Sequence, residues 1–232
     1  MKKIGFIGAF DKTDLIIQIA KILTVMGKKV LVIDSTINQK AKYIVPVINP
    51  TKTYITEFEE FDVAVGFHDF DEMKYYLSLA DGETLDYDIA LIDIDNSDVF
   101  ENFNMKDADK NYFVTSFDLF SLKKGLEILS GLSEMIHMTK VLFSKTMSRE
   151  EDDYLNFLSS EYKIDWDEIK IYFPFELGDQ TAIIESQRVS KIKFKSLSNE
   201  YKESLLYIAE QIIENASINE LKRVMRNIEK GA

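Results

Sequence analysis

The chain has 232 residues, 46% of them hydrophobic and 29% charged, the balance of a globular protein large enough for one α/β domain. It has no cysteine, which excludes a disulfide framework and a cysteine zinc site, and its two histidines, His68 and His137, are too few and too scattered for a histidine-rich metal site. A net charge of −12 argues against direct binding to nucleic acid, which needs a basic face.

In chain order, residues 3–7 form a short apolar run ending at Gly8 and predict a buried strand. Residues 12–26 predict a helix, with Leu15, Ile19, Ile22, Leu23 and Met26 at helical spacing and Gly27 as its stop. VLVID, residues 30–34, predicts a second buried strand, so that strand, helix and strand make a βαβ unit with parallel strands and a right-handed crossover. Further strands are predicted at 62–67, within YDIALIDID (87–95), and at 111–115, 140–143 and 169–172. Further helices are predicted at 71–79, 118–136, 198–215 and 218–230, the second carrying a stripe of Leu119, Leu122, Leu126, Leu129 and Leu132. The acids of SREEDD, residues 148–153, suit the positive end of another helix.

Alternating strands and helices, with no linker and no repeat, imply one domain over 1–232. The expected fold is α/β, a mostly parallel doubly wound sheet with helices on both faces. Its ligand site should lie at the carboxyl ends of the strands, in the loops after Ile7, Ile33 and Ile92. Without a membrane-length apolar segment, and with MKKIGFIG unlike a signal peptide, the expected location is cytoplasmic.

GFIGAFDKTDL, residues 5–15, admits two readings. As a G-x-G-x-x-G dinucleotide turn beginning at Gly8, its second and third glycines would be Phe10 and Thr13, and a phenylalanine there obstructs the pyrophosphate. As a phosphate-binding P-loop, Lys12 and Thr13 open the helix, where backbone N–H groups and the helix dipole favour phosphate. The lysine would then reach the β/γ-phosphates and the threonine hydroxyl would hold Mg²⁺.

Residues 8–34, GAFDKTDLIIQIAKILTVMGKKVLVID, resemble the opening of the ParA/MinD family of deviant Walker A, SIMIBI-class P-loop ATPases, where K-G-G-x-G-K-T is followed by a helix and G-K-K-V-L-L-I-D. YDIALIDID is similar to the family's Walker B strand. FVTSFDLFSLKKGLEIL (113–129), VLFSK (141–145) and FPFELGDQTAIIESQ (173–187) resemble its later strands and the late loop before the last helices. The resemblance implies a P-loop NTPase-like fold, with ATP and Mg²⁺ as cofactors. It places nucleotide contacts at Gly8, Asp11, Lys12, Thr13, Asp34 and Asp93, and Mg²⁺ at Thr13, Asp34 and Asp93.

This chain also departs from the family pattern. Ile7 replaces the lysine that reaches the partner subunit's nucleotide, Ala9 and Asp11 replace loop glycines, Thr36 replaces the second acid of switch I, and Ser144 replaces the base-recognising asparagine. Asp11 brings a carboxylate towards the phosphates, or pairs with Lys12 and fills their place, and its position favours a glycine backbone. Thr36 cannot act as a carboxylate base. The pattern implies a degenerate member that hydrolyses ATP poorly or not at all, with no catalytic residue assigned and with either ATP and Mg²⁺ or no cofactor.

The expected role is accessory or positioning work in plasmid partition, conjugation, secretion or pilus machinery, through protein partners, as a homodimer or with an active ATPase. The alternatives are a slow Mg-ATP-dependent switch that dimerises, and an NAD(P)-binding Rossmann protein. More ordinary readings stand beside these: Lys12 as a solvated helix-start lysine, Thr13 as a cap-region residue, Asp34 and Asp93 as turn residues, Asp95 and Asp98 as loop charges, and Trp166 as an anchor.

In the tail (217–232), SINELKRVMRNIEK combines a capping-box pattern at Ser217 and Glu220 with an apolar stripe of Ile218, Leu221, Val224, Met225 and Ile228 and a basic remainder. MinD-like proteins end in a basic amphipathic membrane helix. The resemblance extends to weak membrane association through 217–230, at the inner face of the membrane, against a plain helix docked on the body.

Overall fold

The computed structural model describes residues 1–48, 51–79, 84–144, 149–214 and 216–230. Its elements are β1 (Lys2–Ile7), α1 (Thr13–Val25), β2 (Val30–Asp34), α2 (Ala41–Ile44), β3 (Tyr54–Phe58), β4 (Phe61–Val65), α3 (Phe70–Leu79), β5 (Ile89–Ile94), α4 (Ser97–Asn102), β6 (Lys110–Ser116), α5 (Leu119–Glu127), β7 (Ile136–Ser144), α6 (Arg149–Ser159), β8 (Ile164–Pro174), α7 (Leu177–Arg188), α8 (Asn199–Ile212) and α9 (Ile218–Glu229). The strands form one eight-stranded sheet in the order β3-β4-β2-β5-β1-β6-β7-β8. All neighbouring pairs are parallel except β3 and β4.

The sheet is covered on both faces, which is why its central strands read as unbroken apolar runs. Alternate residues feed two cores. Ile4, Phe6, Val30, Val32, Ile89 and Leu91 face a layer that includes α1, α8 and α9. Ile7, Leu31, Ile33, Ala90, Ile92 and Ile94 face a layer that includes α3, α4, α5 and α6. The expected α/β, mostly parallel, doubly wound fold is the one observed.

Several details differ from the sequence expectation. β1 and β2 are parallel but not adjacent, because β5 lies between them. This order also separates the chain from the NAD(P)-binding Rossmann arrangement, in which the first two strands are neighbours. The helix expected over 118–136 stops at Glu127, and Ile136 already begins β7. The first residues of β7, ahead of the strand expected at 140–143, carry the buried polar Thr139, next to Lys140, which is neutralised by Asp152 of α6 at 2.7 Å. β8 runs to eleven residues rather than four, with an irregular register near its middle. Much of 173–187, expected as a loop, is α7. Ser148, Lys145 and Asn215, which fall in expected elements, lie outside the described residues.

α9 bears directly on the membrane expectation. Ser217 caps it, accepting a hydrogen bond from Glu220 N at 3.2 Å. Leu221, Val224 and Met225 are buried, and Ile218 and Ile228 pack against the core that includes α1 and α8. The stripe read as a candidate membrane face is therefore covered by the body of the protein. Trp166 is an anchor, packed edge-on against Phe113 at 5.6 Å with its indole N–H donated to Ser159 Oγ at 2.9 Å.

Candidate functional site

β1 enters the site between β5 and β6, and parallel pairing brings the ends of β1, β2 and β5 together. Asp34 and Asp93 are register partners, so two carboxylates stand side by side beneath the loop after β1. That loop turns sharply at Gly8, whose φ of +148° and close approach to β6 require glycine: a Cβ there would lie 2.1 Å from Val114 O. α1 begins at Thr13, immediately after the loop.

Lys12 is buried and folds back into its own loop. Its ammonium donates to Gly8 O at 2.8 Å and lies 2.7 Å from Asp93 Oδ1 as a contact ion pair, at an angle short of an aligned hydrogen bond. Thr13 Oγ1 donates to the other oxygen, Asp93 Oδ2, at 2.9 Å. Burial pushes the Asp93 carboxyl up, Lys12 opposes this and Asp34 adds to it, leaving it at about 6. Asp34 is fully buried and accepts three hydrogen bonds from the segment that follows it: Thr36 N at 3.1 Å, Thr36 Oγ1 at 2.6 Å and Ala41 N at 2.8 Å.

Asp11 does not pair with Lys12, as the sequence had allowed. Its partner is Lys40, from the loop after β2, at 2.5 Å. Lys40 is also 2.5 Å from Asp14 of α1, and Gln187 of α7 donates its amide to both Asp14 oxygens at 2.9 Å. Burial works against the charge on Lys40, but the carboxylates of Asp14 and Asp11 outweigh it and raise its pKa. Nor does Asp11 adopt a left-handed backbone; within residues 8–13 only Gly8 has positive φ. The loop therefore takes a shape in which its former glycine position is unstrained.

These groups line a cleft of about 280 Å³ bordered by Lys12, Thr13, Thr36, Lys40, Tyr43 and Asp95. It shares Phe10, Asp11 and Lys40 with a more apolar chamber of about 360 Å³ that extends to Phe175, Ile183 and Tyr201. Phe10 packs against Phe143 at 4.8 Å and Phe175 at 6.3 Å, anchoring the loop to the ends of β7 and β8. Asp95, read as a solvated charge, instead accepts the Ile37 N–H at 3.0 and 3.1 Å and ties down the loop after β2. Asp98 sits in the first turn of α4.

All the residues assigned from the resemblance, Gly8, Asp11, Lys12, Thr13, Asp34 and Asp93, converge here. Sequence reasoning missed Lys40, Asp14 and Gln187, which lie far apart in the chain and carry no motif. Phe10 did carry a signal, a bulky apolar side chain in a loop of small residues. As arranged, the charged groups of the cluster are partnered within the protein. The charge of Lys12 is taken by Asp93, that of Lys40 by Asp11 and Asp14, and Asp34 is saturated by its own loop. Among the described residues no three histidine or acidic side chains are grouped to hold a metal ion.

No family model matches the chain, and no curated protein matches it. Solved structures do. A ParA family ATPase from Chlorobium tepidum superposes with a TM-score of 0.59 at 14% identity, over 91% of this chain and 98% of the other. A protein described as a plasmid-partition protein from Borrelia burgdorferi, bound to AMPPNP, gives 0.59 at 16% identity, over 91% and 99%. MinD in the Aquifex aeolicus MinC:MinD complex gives 0.51 at 13% identity, over 100% and 96%. The chain has the ParA/MinD fold. At these identities the likeness establishes fold alone, so within the ParA/MinD fold the loop of residues 8–13 is judged by its own contacts. Those contacts are internal: Lys12 to Asp93, Thr13 to Asp93, Asp11 to Lys40, and Phe10 to Phe143.

Proposed function

We propose that this is a ParA/MinD-type protein that works without appreciable nucleotide turnover, as an accessory or positioning component of plasmid partition, conjugation, secretion or pilus machinery, acting in the cytoplasm through protein contacts. The observation that carries the reading is the state of Lys12, whose ammonium is neutralised by Asp93 and capped by Gly8 O inside its own loop. Two lysines, Lys12 and Lys40, face three carboxylates lining the cleft, Asp11, Asp93 and Asp95, with Asp14 beside Lys40 and Asp34 beside Asp93, so a polyphosphate meets an excess of like charge. Turnover would further need a group to orient water, and Thr36 supplies no carboxylate there.

The ParA/MinD fold supports protein partners, as a homodimer or with an active ATPase. So do exposed apolar residues on segments following the carboxyl ends of strands: Ile37 and Tyr43 after β2, Leu119 and Phe120 after β6, and Phe175 and Leu177 after β8. Peripheral association at the inner face of the membrane through α9 would require the helix to leave its packing on α1 and α8.

A second reading, a slow Mg-ATP-dependent switch that dimerises, is favoured by the convergence of Lys12, Thr13, Asp34 and Asp93 at one place. Calorimetric titration with Mg-ATP, together with a steady-state phosphate-release assay, separates the two. The silent reading expects weak or no binding and no turnover. Tight binding with turnover abolished by Lys12→Ala would overturn it in favour of the switch.

A further inference from the structure

Asp11 is the severest departure in the loop, and its contacts give it a specific task. We propose that Asp11 is a built-in counter-anion: it draws Lys40 across the mouth of the cleft and holds it where an incoming polyphosphate would otherwise meet a free cation. The inference rests on the nucleotide-silent reading above and assigns part of its cause to one residue.

Lys40 belongs to the loop after β2, and its reach to Asp11 joins that loop to the loop after β1. The ammonium, about 30% exposed on its side chain, lies at the seam between the polar cleft and the apolar chamber and lines both. Its two carboxylates are not equivalent. Asp14 is braced by the Gln187 amide and anchored on α1, so its hold on Lys40 is part of the body. Asp11 is 56% exposed on its side chain and has one other contact, a long 3.4 Å hydrogen bond from Thr13 N. Its backbone has no positive φ.

Asp11 can therefore be neutralised with little structural cost, and neutralisation acts twice on an anion. It removes a negative charge from the mouth, and it leaves Lys40 shared with Asp14 alone. Lys12 is untouched by the change, since its partners are Gly8 O and Asp93. Any gain in anion affinity beyond that of the lost negative charge must then pass through Lys40.

The test is calorimetric titration of the full chain with Mg-ATP and, separately, with inorganic pyrophosphate at low ionic strength, using the native protein, Asp11→Asn, Asp11→Gly and the double variant Asp11→Asn/Lys40→Met. Both Asp11 variants are expected to bind pyrophosphate at least about tenfold more tightly than the native chain, with most of the gain erased by Lys40→Met. Equal or weaker binding by both Asp11 variants, or a gain that survives Lys40→Met in full, overturns the proposal while leaving the silent reading standing. If the native chain itself takes up Mg-ATP tightly, the silent reading fails, and the ratio between native and Asp11→Asn still decides the role of Asp11. Pyrophosphate reports the electrostatic effect without base contacts, and thermal melting of each variant checks that the fold is retained.

Discussion

Lys12 and Asp93 together make the least replaceable contact at the mouth of the sheet. Both side chains are nearly inaccessible, and a buried ion pair that loses one member leaves an uncompensated charge. Lys12→Met should therefore destabilise the protein by about 3 kcal/mol at pH 7 in urea unfolding. The loss should shrink towards pH 5, where Asp93 can take up a proton.

Asp93 also gives the native chain a pH signature. Its folded pKa of about 6 lies above the unfolded value of 3.8, so the folded state binds this proton more tightly. Its contribution is complete below about pH 4 and is lost as pH rises through about 6, on the order of 2–3 kcal/mol. Asp93→Asn removes that slope. The stability of the native chain relative to Asp93→Asn should fall between pH 4 and 7, and a flat difference would show that the carboxyl is not strained by burial. Asp118, which caps α5 through Ser121 N, behaves oppositely: its hydrogen bonds from Ser116 and Ser121 hold it down at about 2, so its contribution persists until strongly acid pH.

At the scale of elements, α9 and β8 show how exposed-looking sequence is put to internal use. α9 docks its whole stripe, with Leu221 fully buried against a core shared with α1 and α8. Leu221→Ala should cost about 3 kcal/mol, measured by denaturant midpoint, and should increase binding of a hydrophobic dye by loosening the helix. A near-neutral result would mean that α9 is not docked in solution.

β8 is a long edge strand, the kind that invites pairing with another chain. It is guarded by the irregular register between its pairings at Trp166 and Lys170, by Pro174, and by Ser204, which donates to Tyr172 O at 2.5 Å. The other edge, β3, is short and antiparallel. It escaped sequence reading because YITEF alternates only weakly and its pairing is set by the reversal into β4 at Glu59 and Glu60, both at positive φ.

For the whole molecule, the net charge is −12. Mutual repulsion among these acids favours the unfolded chain, and salt screens it. Raising NaCl from about 20 to about 300 mM should increase the melting temperature by a few degrees. A decrease would mean that ion pairs such as Lys40 with Asp11 and Asp14 outweigh the repulsion.

The sequence by itself determined the parallel α/β class, the apolar central strands, and the position of Lys12 and Thr13 at the start of the first helix and of Asp34 and Asp93 near the carboxyl ends of strands. These follow from local periodicity and from the rule that parallel sheets present their loops at one edge. Only the tertiary structure decided which strands are neighbours, where α5 ends, that the α9 stripe is covered, and that Asp11 pairs with Lys40 rather than Lys12. Those outcomes depend on contacts between residues distant in the chain. Asp11 and Lys40 are separated by 29 positions, and Asp14 and Gln187 by 173, so no local pattern encodes their meeting.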